Sequence, residues 1–321
     1  MECLPGCFYP TEVLFVDDSE TYLQTLSLFF KNIRGILLKT FKDPQEALDY
    51  INTRANAQQR VNWEQENCFT PNCYALKLDV FSLHKQIYNP HRYAQISVVI
   101  ADHDLTEKHI NGIEFCRHIR DKNIQKILFT GQADRKFVIQ AFNDGVIQRY
   151  LSKSDVKGID DILNIVKTAQ QRYFMACTAS LNVALRSHPQ FPLAFHSEKF
   201  HALFQRLLEQ HNIVEYYLLD AVGSFLLVDN SNKAQILVVQ NEDQVEANCL
   251  DLQDEVDEER LKALKDGRLI YYNARFWNDS LQTSHAEIIP AETLLDGSHK
   301  FFYGITSNVD AFDKERMSFL K

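Results

Sequence analysis

Asp17, Asp18, Asp102, Thr130 and Lys153 are the residues of this sequence whose types and spacing could do chemistry. Each follows a short run suited to a buried strand: Glu-Val-Leu-Phe-Val before Asp17-Asp18, Ser-Val-Val-Ile-Ala before Asp102, Lys-Ile-Leu-Phe before Thr130, and Gln-Arg-Tyr-Leu-Ser before Lys153. If these runs lie parallel in one sheet, the five side chains converge at its carboxyl edge, where open α/β sheets bind ligands. Three carboxylates placed about 5 Å apart repel by about 3 kcal/mol per pair at an effective dielectric of about 20. Lys153 offsets one of the three charges, and a divalent cation such as Mg2+ would neutralise the rest. Such a site suits phosphoryl transfer to a carboxylate. Asp102 would be the nucleophile, Lys153 and the cation would offset the incoming charge, and the Thr130 hydroxyl would donate to a phosphoryl oxygen.

The elements that must hold these residues alternate. Strands are expected at 12–17, 36–41, 97–101, 126–130 and 148–152, with helices at 18–32, from Asp43-Pro44, at about 111–121 and at 134–143. Strict β-α alternation predicts a parallel sheet covered on both faces. Residues 54–96 interrupt it, as an insertion where a direct connection would take about 2–6 residues. A long helix is expected over 157–188, its stripe of Ile159, Ile162, Val166, Ala169, Tyr173, Cys177 and Leu181 reading as packed core or a helix–helix seam. A helix at 197–210 with Ser197 as N-cap opens the second half. Three strand-like runs follow at 214–220, 224–230 and 234–240, then an acidic helix at about 242–266 and strands at 268–273, 286–289 and 300–306. These runs predict an antiparallel meander with helices, an α+β domain. The domain reading is therefore 1–175, with its insertion at about 54–96, and 176–321 with a helical linker at its start.

The chain has 321 residues and a net charge of −9. Residues 1–170 carry 20 Lys and Arg against 21 Asp and Glu, whereas residues 171–321 carry 14 against 22. The acidic half gains nothing from counterion release on a phosphate backbone, which argues against DNA as its partner. No apolar run reaches about 18 residues, so a membrane span is not expected. The seven cysteines, odd in number and scattered, fit a reducing cytoplasm better than a disulfide framework. Cys3, Cys7, Cys68 and Cys73 lack the spacing of zinc knuckles.

VLFVDDSE, VVIADHDL with NGIEFCRHIR, ILFTGQAD and AFNDGVIQRYLSKSD, in this order, resemble the motifs of receiver domains of two-component response regulators. The resemblance covers about 125 of the first 170 residues once the insertion is set aside. It implies a flavodoxin-like, doubly wound five-stranded parallel sheet. Asp102 would be the phosphoacceptor, and Mg2+ would be held by Asp17, Asp18, Asp102 and the backbone carbonyl of Asp104. Thr130 and Lys153 would contact the phosphoryl group, and Tyr150 would stand at the aromatic switch position. The implied partners are a sensor histidine kinase or phosphotransfer protein and, after phosphorylation, a second copy of the chain. More broadly, the layout is similar to quorum-sensing response regulators of the Legionella type. Apart from that likeness, the meander of the output domain suits docking of a protein partner, and the hairpin LLDAVGSFLLVDN resembles a strand pair of PAS-like sensors, which implies binding of a small ligand or nucleotide.

Three departures stand out. The family Gly falls eight residues after its phosphoacceptor, but Gly112 lies ten after Asp102 and eight after Asp104, which makes Asp104 a rival acceptor. Thr106 and Ser154 stand where the family has Pro, and Ser154 predicts a softer loop around Lys153. A reading from another class also exists. Asp102-His-Asp104-Leu-Thr106 fits the D-x-D-x-T motif of haloacid-dehalogenase-like phosphohydrolases, with Asp104 as general acid-base. That reading needs a further acidic pair after the Lys, for which only Asp160-Asp161 is available, and it leaves Asp17-Asp18 unused.

Overall fold

The computed structural model of the protein describes residues 4–57, 81–105, 110–131, 135–186, 194–278 and 286–320. Their contacts divide into two compact units. The first comprises Tyr9–Asn62 and His91–Cys177, and the second comprises Met1–Phe8, Trp63–Pro90 and Thr178–Lys321.

Strand β1 (Cys7–Phe8) belongs to the second unit. The first unit then runs β2 (Thr11–Val16), α1 (Glu20–Phe30), β3 (Ile36–Phe41) and α2 (Pro44–Ala57). A short helix of the second unit, α3 (Phe81–His84), intervenes. The first unit resumes with β4 (Ile96–Asp102), α4 (Gly112–His118), β5 (Gln125–Thr130), α5 (Arg135–Asn143), β6 (Arg149–Ser152) and α6 (Ile159–Cys177). Its five strands pair in parallel, in the order β3-β2-β4-β5-β6. This is the doubly wound, flavodoxin-like order.

The period of two along each strand sorts side chains to the two faces. Leu14, Val16, Val99, Ala101 and Leu128 pack with Ala47, Ile51, Phe115 and Val138 from α2, α4 and α5. Val13, Phe15, Val98, Ile100, Ile127 and Phe129 pack with Leu23, Leu26, Ile162 and Val166 from α1 and α6. Central β4 is buried along its whole length, which fixes the depth of Asp102. The α6 stripe from Ile162 to Tyr173 is buried within this unit, so it is core and not a seam. Gln170 adds polar ties across that core, donating to the Thr11 hydroxyl (2.9 Å) and the Gly35 carbonyl (3.0 Å).

The insertion enters and leaves at nearly one point. Arg54 at the end of α2 donates to the Ala94 carbonyl (3.3 Å) and pairs with Glu12 (3.4 Å), while the Tyr50 hydroxyl donates to Glu12 (2.7 Å). With its ends clamped, a long excursion leaves the sheet register undisturbed. Residues 58–80 of the insertion, with Cys68 and Cys73, lie outside the described residues, as do Cys3 and Thr106.

In the second unit, α7 (Ala179–Arg186) and α8 (Glu198–Gln210) precede β7 (Ile213–Leu218), β8 (Phe225–Asp229) and β9 (Ala234–Asn241). There follow α9 (Glu242–Leu252), α10 (Glu258–Lys265), β10 (Leu269–Asn273), β11 (Ala286–Pro290), β12 (Glu292–Asp296) and β13 (His299–Thr306). An antiparallel sheet runs β1-β7-β8-β9-β13-β12, with β10-β11 as a separate hairpin. Ser197 caps α8, accepting from the Phe200 N–H (3.2 Å). Phe200 and Phe204 then pack with Tyr216 and Phe225, the Phe204 and Phe225 rings 4.5 Å apart.

Several boundaries differ from the sequence reading. Residues 1–8 cluster with the second unit because β1 pairs antiparallel with β7, Cys7 opposite Tyr217 and Phe8 opposite Tyr216. Residues 81–90 of the insertion cluster there too, with the Asp313 N–H bonded to the Tyr88 hydroxyl (3.0 Å) and the Ser318 N–H to the Ile87 carbonyl (2.9 Å). The long helix breaks at Thr178 into α6 and α7. The acidic helix breaks into α9 and α10 because Asp257 accepts from the Arg260 N–H (2.8 Å) and starts a new helix. Strand β12 was not foreseen; it pairs with β13 through a turn at Gly297, whose φ is +61°.

Gly112 opens α4 after Asn111, whose side chain caps the helix by accepting from the Glu114 N–H (2.9 Å). A Cβ at Gly112 would lie 2.2 Å from the Asp102 carbonyl oxygen and 2.8 Å from a Leu128 methyl. Gly112→Ala is therefore expected to destabilise the first unit by about 1–3 kcal/mol. Urea unfolding, read as a midpoint that falls at unchanged slope, checks this.

Candidate functional site

The carboxyl ends of β2, β4, β5 and β6 bring the predicted residues together. Asp17 follows β2 directly, is almost fully buried, and accepts from the Ser19 N–H through Oδ1 (2.8 Å). Ser19 in turn is the N-cap of α1, its hydroxyl oxygen accepting from the Tyr22 N–H (3.4 Å). The acidic pair therefore sits where a strand hands over to a helix. Asp102 is the last residue of β4 and is 8% exposed. Ligand oxygens of Asp17, Asp18 and Asp102 lie within 4.8 Å of one another. Asp104 lies two residues beyond the strand end and is exposed, which separates it from the buried position of Asp102.

Lys153 closes the site. Its Nζ donates to Asp102 Oδ2 at 2.7 Å and to Asp17 Oδ2 at 3.0 Å. Its own N–H donates to the Thr130 carbonyl (2.8 Å), which ties the lysine to the end of β5. The loop around it is pinned by side chains: the Ser152 and Ser154 hydroxyls are 2.6 Å apart, and the Ser154 N–H bonds to Ser152 Oγ (3.3 Å). Ser154 thus supplies a hydrogen bond where proline would supply a ring. Thr130 ends β5 fully buried. By strand alternation it shares the face of Leu128, the face on which Tyr150 packs against the core, half-buried.

Electrostatics follow from the excess of negative charge. Burial raises the Asp17 carboxyl above its ordinary value of 3.8; the Ser19 N–H and Lys153 pull it back, and Asp102 adds to the rise. Burial alone would lower Lys153, but the hydrogen bonds and charges of Asp102 and Asp17 raise it above 10.5. The lysine is therefore firmly cationic. Asp102 Oδ1 is buried without a hydrogen-bond partner among the described residues. An unpartnered carboxylate oxygen in an all-oxygen cluster fits a hard divalent cation such as Mg2+.

Two residues of the site escaped the sequence reading. Tyr22 stacks on Phe129, with centroids 6.0 Å apart and planes at 29°. Lys153 Nζ lies 5.5 Å from the Tyr22 centroid and 5.6 Å from that of Phe129. Phe129 belongs to a run that reads as buried strand, and Tyr22 to the apolar residues of the helix expected over 18–32. The available signal was the position of Tyr22 in the first turn of the helix that follows the acidic pair. Asp160 and Asp161 lie instead in the first turn of α6, where Asp161 accepts from the Lys157 N–H (2.9 Å).

Five parallel strands in this order, with an acidic cluster and a lysine at their carboxyl ends, give the chain the receiver-domain fold of response regulators. Over 98% of its length it is similar to the Legionella pneumophila response regulator LqsR, at a TM-score of 0.71, 28% sequence identity and 99% coverage of that chain. A response-regulator receiver-domain protein from Clostridium thermocellum matches at 22% identity, covering 50% of this chain and 95% of that one, with a TM-score of 0.33. The Francisella response regulator 1452 receiver domain matches at 20% identity, 50% and 98% coverage, and a TM-score of 0.32. No family model and no curated protein sequence matches the chain. Among the described residues, no helix is long and apolar enough to cross a membrane.

Because the Asp17 carboxyl is raised, its ionised form costs stability in the cation-free fold. The stability linked to this group is present below 3.8 and is lost as pH rises through the raised value. Asp17→Asn is therefore expected to melt higher than the wild type at pH 7 in EDTA, with the gain shrinking as pH falls towards 3.8. Thermal unfolding with and without Mg2+ checks this, and Mg2+ should raise the wild-type melting temperature but not that of the variant.

Proposed function

We propose that this protein is a two-component response regulator phosphorylated on Asp102. The observation that carries the reading is the buried Asp102 carboxylate, with one oxygen held by Lys153 and the other unpartnered at the acidic cluster. Likeness to the response regulator LqsR over nearly the whole chain supports it. The quorum-sensing role and cytoplasmic location expected from the sequence are proposed with it.

The donor is a phosphohistidine on a sensor kinase or phosphotransfer protein. An Asp102 carboxylate oxygen attacks its phosphorus, the new O–P bond forms, and the N–P bond breaks with its electron pair left on the imidazole. Asp17, Asp18, Asp102 and the Asp104 backbone carbonyl are the groups that would hold Mg2+, which when bound supplies positive charge against the phosphoryl oxygens. Lys153 exchanges a carboxylate partner for a phosphoryl oxygen. The Thr130 hydroxyl donates to another, and Tyr150, on the same face, follows Thr130. Charge-assisted hydrogen bonds of about 1.5–3 kcal/mol each supply much of the roughly 5.5 kcal/mol that reverses a 1:99 population. The output is phosphorylation-linked dimerisation or domain release. Its target is a protein or a small ligand or nucleotide, and the charge of residues 171–321 disfavours DNA.

Acetyl phosphate with Mg2+ is expected to label the protein once per chain on a phosphate-affinity gel. Asp102→Asn and EDTA should each abolish labelling, and Asp104→Asn should retain it. Labelling lost only in Asp104→Asn would move the acceptor by two residues. Sustained hydrolysis of p-nitrophenyl phosphate that needs both Asp102 and Asp104 would instead establish the phosphohydrolase reading. Light scattering behind size exclusion should show the mass doubling on labelling; an unchanged mass would leave domain release.

A further inference from the structure

Among the described residues, Tyr22 and Phe129 lie beside Lys153 without a part in the phosphorylation chemistry above, and Tyr22 of the two carries a polar group. Its ring lies against Phe129 and beside the Lys153 ammonium, 5.5 Å from centroid to Nζ. Its hydroxyl is buried, with no hydrogen-bond partner among the described residues. A buried donor without an acceptor is unfavourable, and an oxygen brought in beside Lys153 would relieve that cost. Burial first, and then the Asp17 and Asp102 charges, hold it protonated, as a donor.

We infer that Tyr22 is a positioning residue of the phosphorylation site: with Phe129 it forms an aromatic seat for the Lys153 ammonium, and its buried hydroxyl is a donor held for an oxygen that enters with the phosphoryl group. This rests on the phosphoacceptor reading of Asp102. Lys153 begins between two carboxylates, at 2.7 and 3.0 Å. When Asp102 takes a phosphoryl group, the ammonium must shift from carboxylate to phosphoryl oxygen. A carboxylate holds an ammonium along directed hydrogen bonds, whereas ring faces attract it through their quadrupoles without a fixed direction. The two rings therefore keep the ammonium in place through the exchange. The position of Tyr22 follows from the sequence around it, because Ser19 caps α1 through the Tyr22 N–H itself and fixes the first turn beside the acidic pair.

The test compares the wild type with Tyr22→Phe and Tyr22→Leu in the full chain, using acetyl phosphate and Mg2+. Tyr22→Phe keeps the ring and removes an unpartnered hydroxyl, so its melting temperature should be no lower than that of the wild type. Its aspartyl phosphate should decay about 10-fold faster, the worth of one hydrogen bond to a charged oxygen. Its labelling rate should stay within about 3-fold, because the ring still seats the ammonium. Tyr22→Leu should lose lifetime to the same degree and slow labelling by a further factor of about 5–10. A single 3-fluorotyrosine at position 22 gives a readout that packing alone would not move: its 19F resonance should shift on labelling and return as the phosphate decays. Wild-type lifetime in Tyr22→Phe, or a 19F resonance unmoved by labelling, overturns the hydroxyl's role, and equal labelling rates in Phe and Leu variants overturn the seat. A wild type that takes no label contradicts the phosphoacceptor reading and takes this inference with it, whereas a labelled wild type with indifferent Tyr22 variants contradicts this inference alone.

Discussion

The arrangement of the site turns on one contact, the bridge of the Lys153 ammonium between Asp17 and Asp102. Without it, buried carboxylates from two neighbouring strands would face each other at the carboxyl edge of the sheet. The lysine sits at 34% side-chain exposure, against 3% and 9% for the two carboxylates. A half-exposed cation over buried anions can be displaced by a stronger one or drawn towards a new anion, which a fully enclosed pair could not be. The cluster is therefore held together while part of its polar surface stays unsatisfied. Among the described residues, Asp102 Oδ1 and the Tyr22 hydroxyl are buried at this site without a hydrogen-bond partner.

The surrounding fold serves that contact. Parallel pairing puts the ends of β2, β4 and β5 level, with Val16 opposite Ala101 and Asp102 opposite Phe129. Thr130 opposite Ser152 then delivers Lys153 one residue later. Gly112 allows α4 to start against the Asp102 carbonyl itself. The network of Gln170, Thr11 and Gly35 anchors α6 to the opposite edge of the sheet. Far from the chemistry, the clamp formed by Arg54, Glu12 and Ala94 lets the insertion leave and return without disturbing β4.

Much of the first unit was legible because its signals are local. Apolar runs of strand length ended in Asp, Thr and Ser-Lys, and the strands fall within a residue or so of the expected 12–17, 36–41, 97–101, 126–130 and 148–152. The Ser197 cap and the meander of β7, β8 and β9 were legible for the same reason. What escaped depends on pairing at long range. Nothing in Cys7–Phe8 indicates that its partner is Tyr216–Tyr217, some two hundred residues away. The break between α9 and α10 lay hidden in a run where Asp and Glu suit a helix face as well as a cap, and only Asp257 acts as one. Tyr22 and Phe129 read as core because apolar periodicity does not distinguish a ring facing aliphatic side chains from one facing an ammonium. Leu28, an apolar residue of the same helix α1, points to solvent at 74% exposure.

The central claim is that Asp102, and no other carboxylate of this chain, takes the phosphoryl group. Borohydride reduces an acyl phosphate to the alcohol and so converts a phosphorylated aspartate to homoserine. Protein labelled with acetyl phosphate and Mg2+, reduced, digested and sequenced by mass spectrometry, reports the acceptor without any substitution in the site. Homoserine at position 102 alone, absent when EDTA is present, is the predicted result. Homoserine at position 104, or at any exposed carboxylate while 102 remains aspartate, would contradict the account.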